Sequence, residues 1–277
     1  IITMNKYSKK YLDKISSSKV YDVVIKSPIT KAESVSSQFN NKIYLKREDL
    51  QPTRSFKIRG AYNKISNLVE KQKVKHVVTA SAGNHAQGVA YSAKSLKIKS
   101  TIFMPKTTPS IKVDSVRNLG AKVILIGDNF DAALEDSLLF CKNKKLPFIH
   151  PFDDPLVIAG QGTIGKELLD QFDENIDIVF VAVGGGGLIS GIGAYIKSVK
   201  PKIKIIAVEA ADAAGLNASL KADKRIKLQE VGLFADGAAA KQIGKHNYKL
   251  IKEWIDDSIT VSTDAVSYTH LRAHETE

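Results

Sequence analysis

Cys141 is the sole cysteine among 277 residues, so no disulfide framework and no thiolate metal cluster can form, and the chain suits a reducing compartment. Arginine is scarce too. Of 41 basic residues 35 are Lys and 6 are Arg, against 29 acidic residues, for a formal charge of +12. Bidentate reading of phosphates and bases relies on the planar guanidinium, and the lysines here are scattered, with no run denser than the Lys71-Gln72-Lys73-Val74-Lys75 kind. A solvated lysine-rich surface is therefore the preferred reading over a nucleic-acid footprint, which requires clustering rather than a large sum. The start, Ile1 to Lys6, has no apolar core behind its charges and does not read as a secretory signal. Repeats, low-complexity tracts and long linkers are also lacking. With 43% hydrophobic and 25% charged residues, whole-chain disorder is excluded.

One apolar run approaches membrane-spanning length: residues 178–196 carry no charge over nineteen positions. Six glycines lie within it, four of them consecutive, which makes a poor helix centre in lipid. The run reads instead as a buried strand over 177–183, a glycine loop and a helix from Leu188, in a soluble protein.

Short apolar runs alternate with helix-period segments along most of the chain. Strands are expected at 42–45, 76–79, 100–104, 122–126, 147–150, 177–183, 202–208 and 258–261. Helices are expected at 56–70, 85–96, 110–119, 131–142, 156–172, 188–199 and 213–221. The strand runs are rich in Val and Ile on both faces, as buried parallel strands are. Repeated βα units imply an α/β fold with open, mostly parallel sheets flanked by helices. Both ends read as foreign: Ile1, Ile2 and Thr3 precede Met4, the expected initiator, and residues 266–277 break the apolar rhythm. His270 and His274 have the i,i+4 spacing that can chelate a metal on a helix, but a non-native tail is the preferred reading.

Three polar or glycine-rich junctions each follow a strand, where open α/β sheets place ligands. In the first, Lys57 lies in Ser55-Phe56-Lys57 at a helix start, between Arg54 and Arg59, and Arg47 is ten residues upstream. Desolvation and like charge would both favour the neutral amine that attacks a carbonyl. The plainer alternative is one more surface lysine, with Phe56 turned into the core. The second, Ser81-Ala82-Gly83-Asn84-His85, can cradle a carboxylate on backbone amides and on the Ser81 and Asn84 side chains, or simply cap a helix. In the third, Gly184-Gly185-Gly186-Gly187-Leu188, four missing side chains let a phosphate approach backbone amides ahead of a helix dipole. It has neither the G-x-G-x-x-G spacing nor a Gly-Lys-Ser/Thr ending, so neither a dinucleotide site nor a P-loop is indicated. An activatable lysine, a carboxylate cradle and a phosphate cradle together suit pyridoxal 5'-phosphate acting on an amino acid.

Lys46-Arg47-Glu48-Asp49-Leu50-Gln51-Pro52, Ser55-Phe56-Lys57-Ile58-Arg59-Gly60, Ser81-Ala82-Gly83-Asn84-His85-Ala86-Gln87-Gly88 and Gly184-Gly185-Gly186-Gly187-Leu188 occur in an order that resembles the threonine dehydratases of the tryptophan-synthase-β-like, or fold type II, pyridoxal-phosphate enzymes. The resemblance runs over residues 11–265. Ser18-Lys19-Val20-Tyr21-Asp22-Val23-Val24 and Asn84-His85-Ala86-Gln87-Gly88 lean toward the biosynthetic type, which makes 2-oxobutanoate for isoleucine. The resemblance implies a large cofactor-binding domain of residues 1–71 and 154–265, a small domain of residues 72–153 inserted in it, and the cofactor in the cleft between them. It also implies a cytoplasmic homo-oligomer, dimer or tetramer, with an amino-acid substrate and no nucleic-acid or membrane partner.

By the same resemblance, Lys57 would bond to the cofactor and later act on the substrate Cα proton. Asn84 would meet the phenolic oxygen, Phe56 would flank the ring, Gly184, Gly185, Gly186, Gly187 and Leu188 would hold the phosphate, and Ser81, Ala82, Gly83, Asn84 and His85 would grip the substrate carboxylate. Related serine racemases have a second serine where Ala82 stands, so elimination is expected over racemisation. Those relatives bind a cation through a Glu and a later Asp; Glu209 is present here, but Gly215 takes the later place, and no metal is expected. O-acetylserine sulfhydrylases share the fold but not these lysine and loop motifs. The remaining alternatives are a serine dehydratase or racemase-like enzyme, an inactive fold and a basic nucleic-acid-binding protein. Similarity stops near Ala265, before the family's Ser-Gly segment at the pyridine nitrogen and the biosynthetic type's regulatory domain, so a truncated chain is expected.

Overall fold

The computed structural model describes residues 6–232 and 234–267. Ile1 to Met4, His270, His274 and all of the expected tail from residue 268 onward lie outside the described residues.

Two separate parallel sheets organise the chain. The first contains β3 (His76–Ala80), β4 (Lys99–Met104) and β5 (Lys122–Leu125), with Val77 opposite Ser100 and Thr101 opposite Lys122. The second contains β6 (Ile178–Ala182), β7 (Lys204–Ala210) and β8 (Asp257–Val261), with Val179 opposite Ile205 and Ala207 opposite Ser258. A short antiparallel pair, β1 (Ile29–Lys31) and β2 (Tyr44–Lys46), leads into the first functional motif.

Helices fill the crossovers as the periodicity requires: α4 (Asn84–Ser95), α5 (Ser110–Asn118) and α6 (Phe130–Lys144) around the first sheet, and α8 (Gly187–Val199) and α9 (Gly215–Lys221) around the second. Two long helices, α3 (Lys57–Gln72) and α7 (Pro155–Gln171), run together. The α3 apolar face, Ile58, Ala61, Ile65 and Leu68, follows the 3.6-residue period and is buried. Helix α7 starts sharply because Pro155 occupies its first position and the Asp154 carboxylate accepts the Leu156 and Val157 N–H groups. The two backbones touch at Gly60 and Gly160: a Cβ on Gly160 would come within 2.6 Å of the Arg59 carbonyl oxygen. That close approach holds the start of α3 rigidly.

Three expectations need correction. The strand expected at 147–150 is only a single bridge between Phe148 and Val78. Pro147 and Pro151 supply no N–H, and the Ile149 carbonyl is occupied by the Thr79 hydroxyl (2.8 Å) and His85 Nε2 (3.0 Å), so the ladder cannot continue. Strand β6, expected to be buried, lies at the edge of its sheet among the described residues, and Phe180 is 61% exposed. Helices α1 (Lys6–Ser16), α2 (Glu33–Gln38) and α10 (Lys245–Trp254) were not anticipated. Tyr11 and Ile15 of α1 and Leu250 and Trp254 of α10 share an apolar cluster, with the Tyr11 and Trp254 rings edge-on at 5.9 Å.

Candidate active site

The C-terminal ends of β3 and β6 open toward the start of α3, so three distant sequence motifs line one cleft of about 330 Å³. Its walls include Phe56, Lys57, Asn84, Gly184, Gly185, Gly186, Gly187 and Leu188, all anticipated from sequence. Of the segment Ser81, Ala82, Gly83, Asn84 and His85, only Asn84 lines the cleft. The Ser81 hydroxyl accepts the Gly83 N–H at 3.3 Å, closing the turn before α4. His85 is 3% exposed and contacts the Ile149 carbonyl through Nε2, so its ring is a packed interior group. Burial, with Lys57 nearby, pushes that imidazole down to about 3.

Lys57 is the first residue of α3. Its Nζ reaches the Pro151 carbonyl oxygen at 3.3 Å and stands 5.3 Å from the Phe56 ring centre. Part of its surface opens to the cleft, while the amine itself is packed among protein atoms with no carboxylate partner. Desolvation lowers its pKa to about 8. This corrects the expectation of a positive field from neighbouring arginines. Arg59 is fully buried, and its guanidinium is neutralised by Glu48 (2.7 Å) and Glu167 (2.6 Å), with Thr163 as a further acceptor. Arg47 pairs with Asp49 at 2.7 Å. Of the three arginines only Arg54 lines the cleft.

The glycine loop presents donors. Among the described residues, the N–H groups of Gly185, Gly186 and Gly187 have no protein acceptor, as expected at the head of α8. Gly186 holds φ +90°, a conformation that favours glycine. A Cβ on Gly185 would clash with the Phe152 ring, so Phe152 packs directly against the loop and shares the cleft wall with it. The acids on the cleft wall, Glu48 and Asp49, are those already paired with Arg59 and Arg47, which leaves the cleft suited to an anion.

A family profile described as pyridoxal-phosphate dependent enzyme matches residues 20–277. The chain belongs to that family. It is 48% identical over 262 residues to a biosynthetic L-threonine dehydratase IlvA of Burkholderia multivorans, covering 94% of this chain and 52% of that relative. The chain thus spans about half the length of that relative. Among solved structures, the processed form of threonine deaminase isoform 2 from Solanum lycopersicum superposes with a TM-score of 0.92 at 46% identity, covering 95% of this chain and 72% of that one. A maize serine racemase superposes with a TM-score of 0.88 at 34% identity, covering 92% and 78%.

The fold is accordingly that of the fold type II pyridoxal-phosphate enzymes. The residues present fit the family's cofactor: an amine without a counter-ion for its aldehyde, and a side-chain-free row of unsatisfied N–H groups for its phosphate. Sequence reasoning missed Phe152, Gly237 and Ala238 on the cleft wall. Pro151 and Pro155 around Asp153 and Asp154 mark a stiff turn, but nothing local shows that Phe152 packs against a loop thirty residues later. Glu209 stands where the cation-binding relatives have their Glu, with no metal expected here. Its buried carboxylate accepts the Leu216 and Asn217 N–H groups at 2.8 and 2.7 Å, a capping role at the start of α9. Burial raises its pKa.

Proposed function

We propose that the protein is an L-threonine dehydratase of the biosynthetic type, which converts L-threonine to 2-oxobutanoate and ammonia on the way to isoleucine. One observation carries the reading: Lys57 has a desolvated amine with no carboxylate partner, in the same cleft as a glycine loop with free N–H groups. The preference for threonine is supported by the 48% identity to the Burkholderia dehydratase.

Pyridoxal phosphate, when bound, supplies an aldehyde that bonds to amines and a ring that withdraws electrons from the substrate Cα. Lys57 would hold it through Nζ and, whenever that amine is free, would take the substrate Cα proton on Nζ. With its pKa at about 8, about a tenth of the amine is neutral at pH 7, against roughly one part in three thousand for an ordinary lysine. Asn84 would donate from its amide to the cofactor's phenolic oxygen, and the head of α4 would offer the N–H groups of Asn84 and His85 to the substrate carboxylate. Gly184 to Leu188 would hold the phosphate, while Phe56 and Phe152 on the same cleft wall would exclude water. Ala82 stands where the serine racemases it resembles have a second serine, so that hydroxyl is not available as a base, which favours elimination over racemisation.

The same reading includes a cytoplasmic homo-oligomer and two domains, residues 1–71 with 154–265 and residues 72–153. The two separate parallel sheets support that division. Among the described residues no helix is long and apolar enough to cross a membrane. Purified protein given pyridoxal phosphate is expected to develop a visible absorbance band that borohydride bleaches, and to release 2-oxobutanoate from L-threonine. Folded protein that takes up no cofactor would overturn the reading, and D-serine formed from L-serine would replace it with a racemase.

A further inference from the structure

We infer that Asn247, on α10, is a positioning residue that aims the glycine loop at its phosphate. The Asn247 side chain is fully buried, and its Nδ2 donates to two carbonyl oxygens at once, Gly185 at 2.8 Å and Phe152 at 3.1 Å. The Gly244 N–H, at the head of the same helix, donates to the same Gly185 oxygen at 3.1 Å. A trans peptide is planar, so the Gly185 carbonyl and the Gly186 N–H point in opposite directions. Drawing the Gly185 oxygen toward α10 therefore turns the Gly186 N–H away from α10, where the cleft lies. Gly186 accommodates the turn at φ +90°, with space for a Cβ already filled by Ile243, Ile251 and Asn247.

The orientation of the amide follows from its partners, since reversing it would set an oxygen against two carbonyl oxygens. The arrangement leaves Asn247 Oδ1 buried without a hydrogen-bond partner, an unfavourable feature retained at a position that touches the loop. The helix that carries Asn247 is itself fixed at its start by Asp153, next to Phe152 in sequence. Asp153 Oδ2 accepts the Lys245 N–H (2.8 Å), and Oδ1 accepts those of His246 (2.9 Å) and Asn247 (3.2 Å). The segment from Pro151 to Asp153 thus contacts the Lys57 amine, packs against the glycine loop through Phe152 and caps α10. Asn247 is the link that transmits this to the loop.

The inference rests on the cofactor reading above, and one experiment separates the two. Equilibrium uptake of pyridoxal 5'-phosphate and of pyridoxal, which lacks the phosphate, is measured by visible absorbance for wild type and Asn247→Ala. Wild type should prefer the phosphorylated form; no preference would overturn both the cofactor reading and this inference. Asn247→Ala should lose roughly tenfold in affinity for pyridoxal 5'-phosphate, with pyridoxal changed less than about twofold. Equal losses for the two ligands, or no loss, would overturn the positioning role and leave the cofactor reading intact. Asn247→Ser keeps a shorter donor and should recover part of the preference; it carries the same ratio test should the alanine variant fail to fold.

Discussion

Lys57 and Arg59 lie two residues apart on α3 and both are sheltered from water, yet the structure treats them in opposite ways. Arg59 has Glu48 and Glu167 on its guanidinium, and Lys46 adds a further pair to Glu167 at 2.7 Å. Lys57 has a carbonyl oxygen and an aromatic ring. At 100° per residue, positions i and i+2 diverge by about 200°, so neighbours in sequence face different surroundings. A buried cation with counter-ions is a structural joint; a buried cation without them is driven toward its neutral, reactive form. Lys46 shows the intermediate case, where desolvation lowers the amine's pKa while Glu167 opposes the shift.

The largest break in that comparison should come from Lys57→Ala, which is expected to abolish the visible cofactor band and to lower threonine turnover by at least about a thousandfold, read by 2-oxobutanoate release. Arg59→Met comes next. It strands Glu48 and Glu167 without their shared partner and should lower unfolding free energy by about 3–5 kcal/mol, measured by urea denaturation. A smaller effect separates the two sites by pH. The Lys57 pKa is lowered from 10.5 to about 8, so between those values the unfolded chain binds more protons than the folded one. Wild-type stability should therefore carry a full penalty below about pH 8 and regain it as pH rises toward 10.5. The stability advantage of Lys57→Met over wild type should shrink across that window and stay level below it; an advantage independent of pH would refute the desolvated amine. Smallest of all, Lys19→Ala removes an exposed pair with Glu70 (3.0 Å) and should leave the urea midpoint unchanged.

Local pattern revealed much of this molecule and failed in identifiable places. The βα alternation and the loops after β3 and β6 were legible because strand and helix periods are properties of short windows. Helix α10 was missed although Tyr248, Ile251 and Trp254 recur at three-residue intervals, because its cap, Asp153, lies ninety-two residues before Lys245. The arginine cluster was misread because closeness in sequence says nothing about which face of α3 a side chain takes. The expected strand at 147–150 reduces to a bridge because Thr79 and His85, on other elements, occupy the Ile149 carbonyl.

The sequence by itself determined the βα alternation, the parallel class of the two three-stranded sheets and the residue types of the candidate site: one lysine at a helix start, one amide loop, one glycine loop. Those follow from backbone preferences and periodicity, which act over a few residues. Only tertiary structure decided which cations keep counter-ions, that Phe152 and Asn247 contact the glycine loop, and that the His85 ring belongs to the interior. Burial and charge pairing depend on distant groups, such as Glu167, 108 residues from Arg59, and burial is what lowers the pKa of the Lys57 amine.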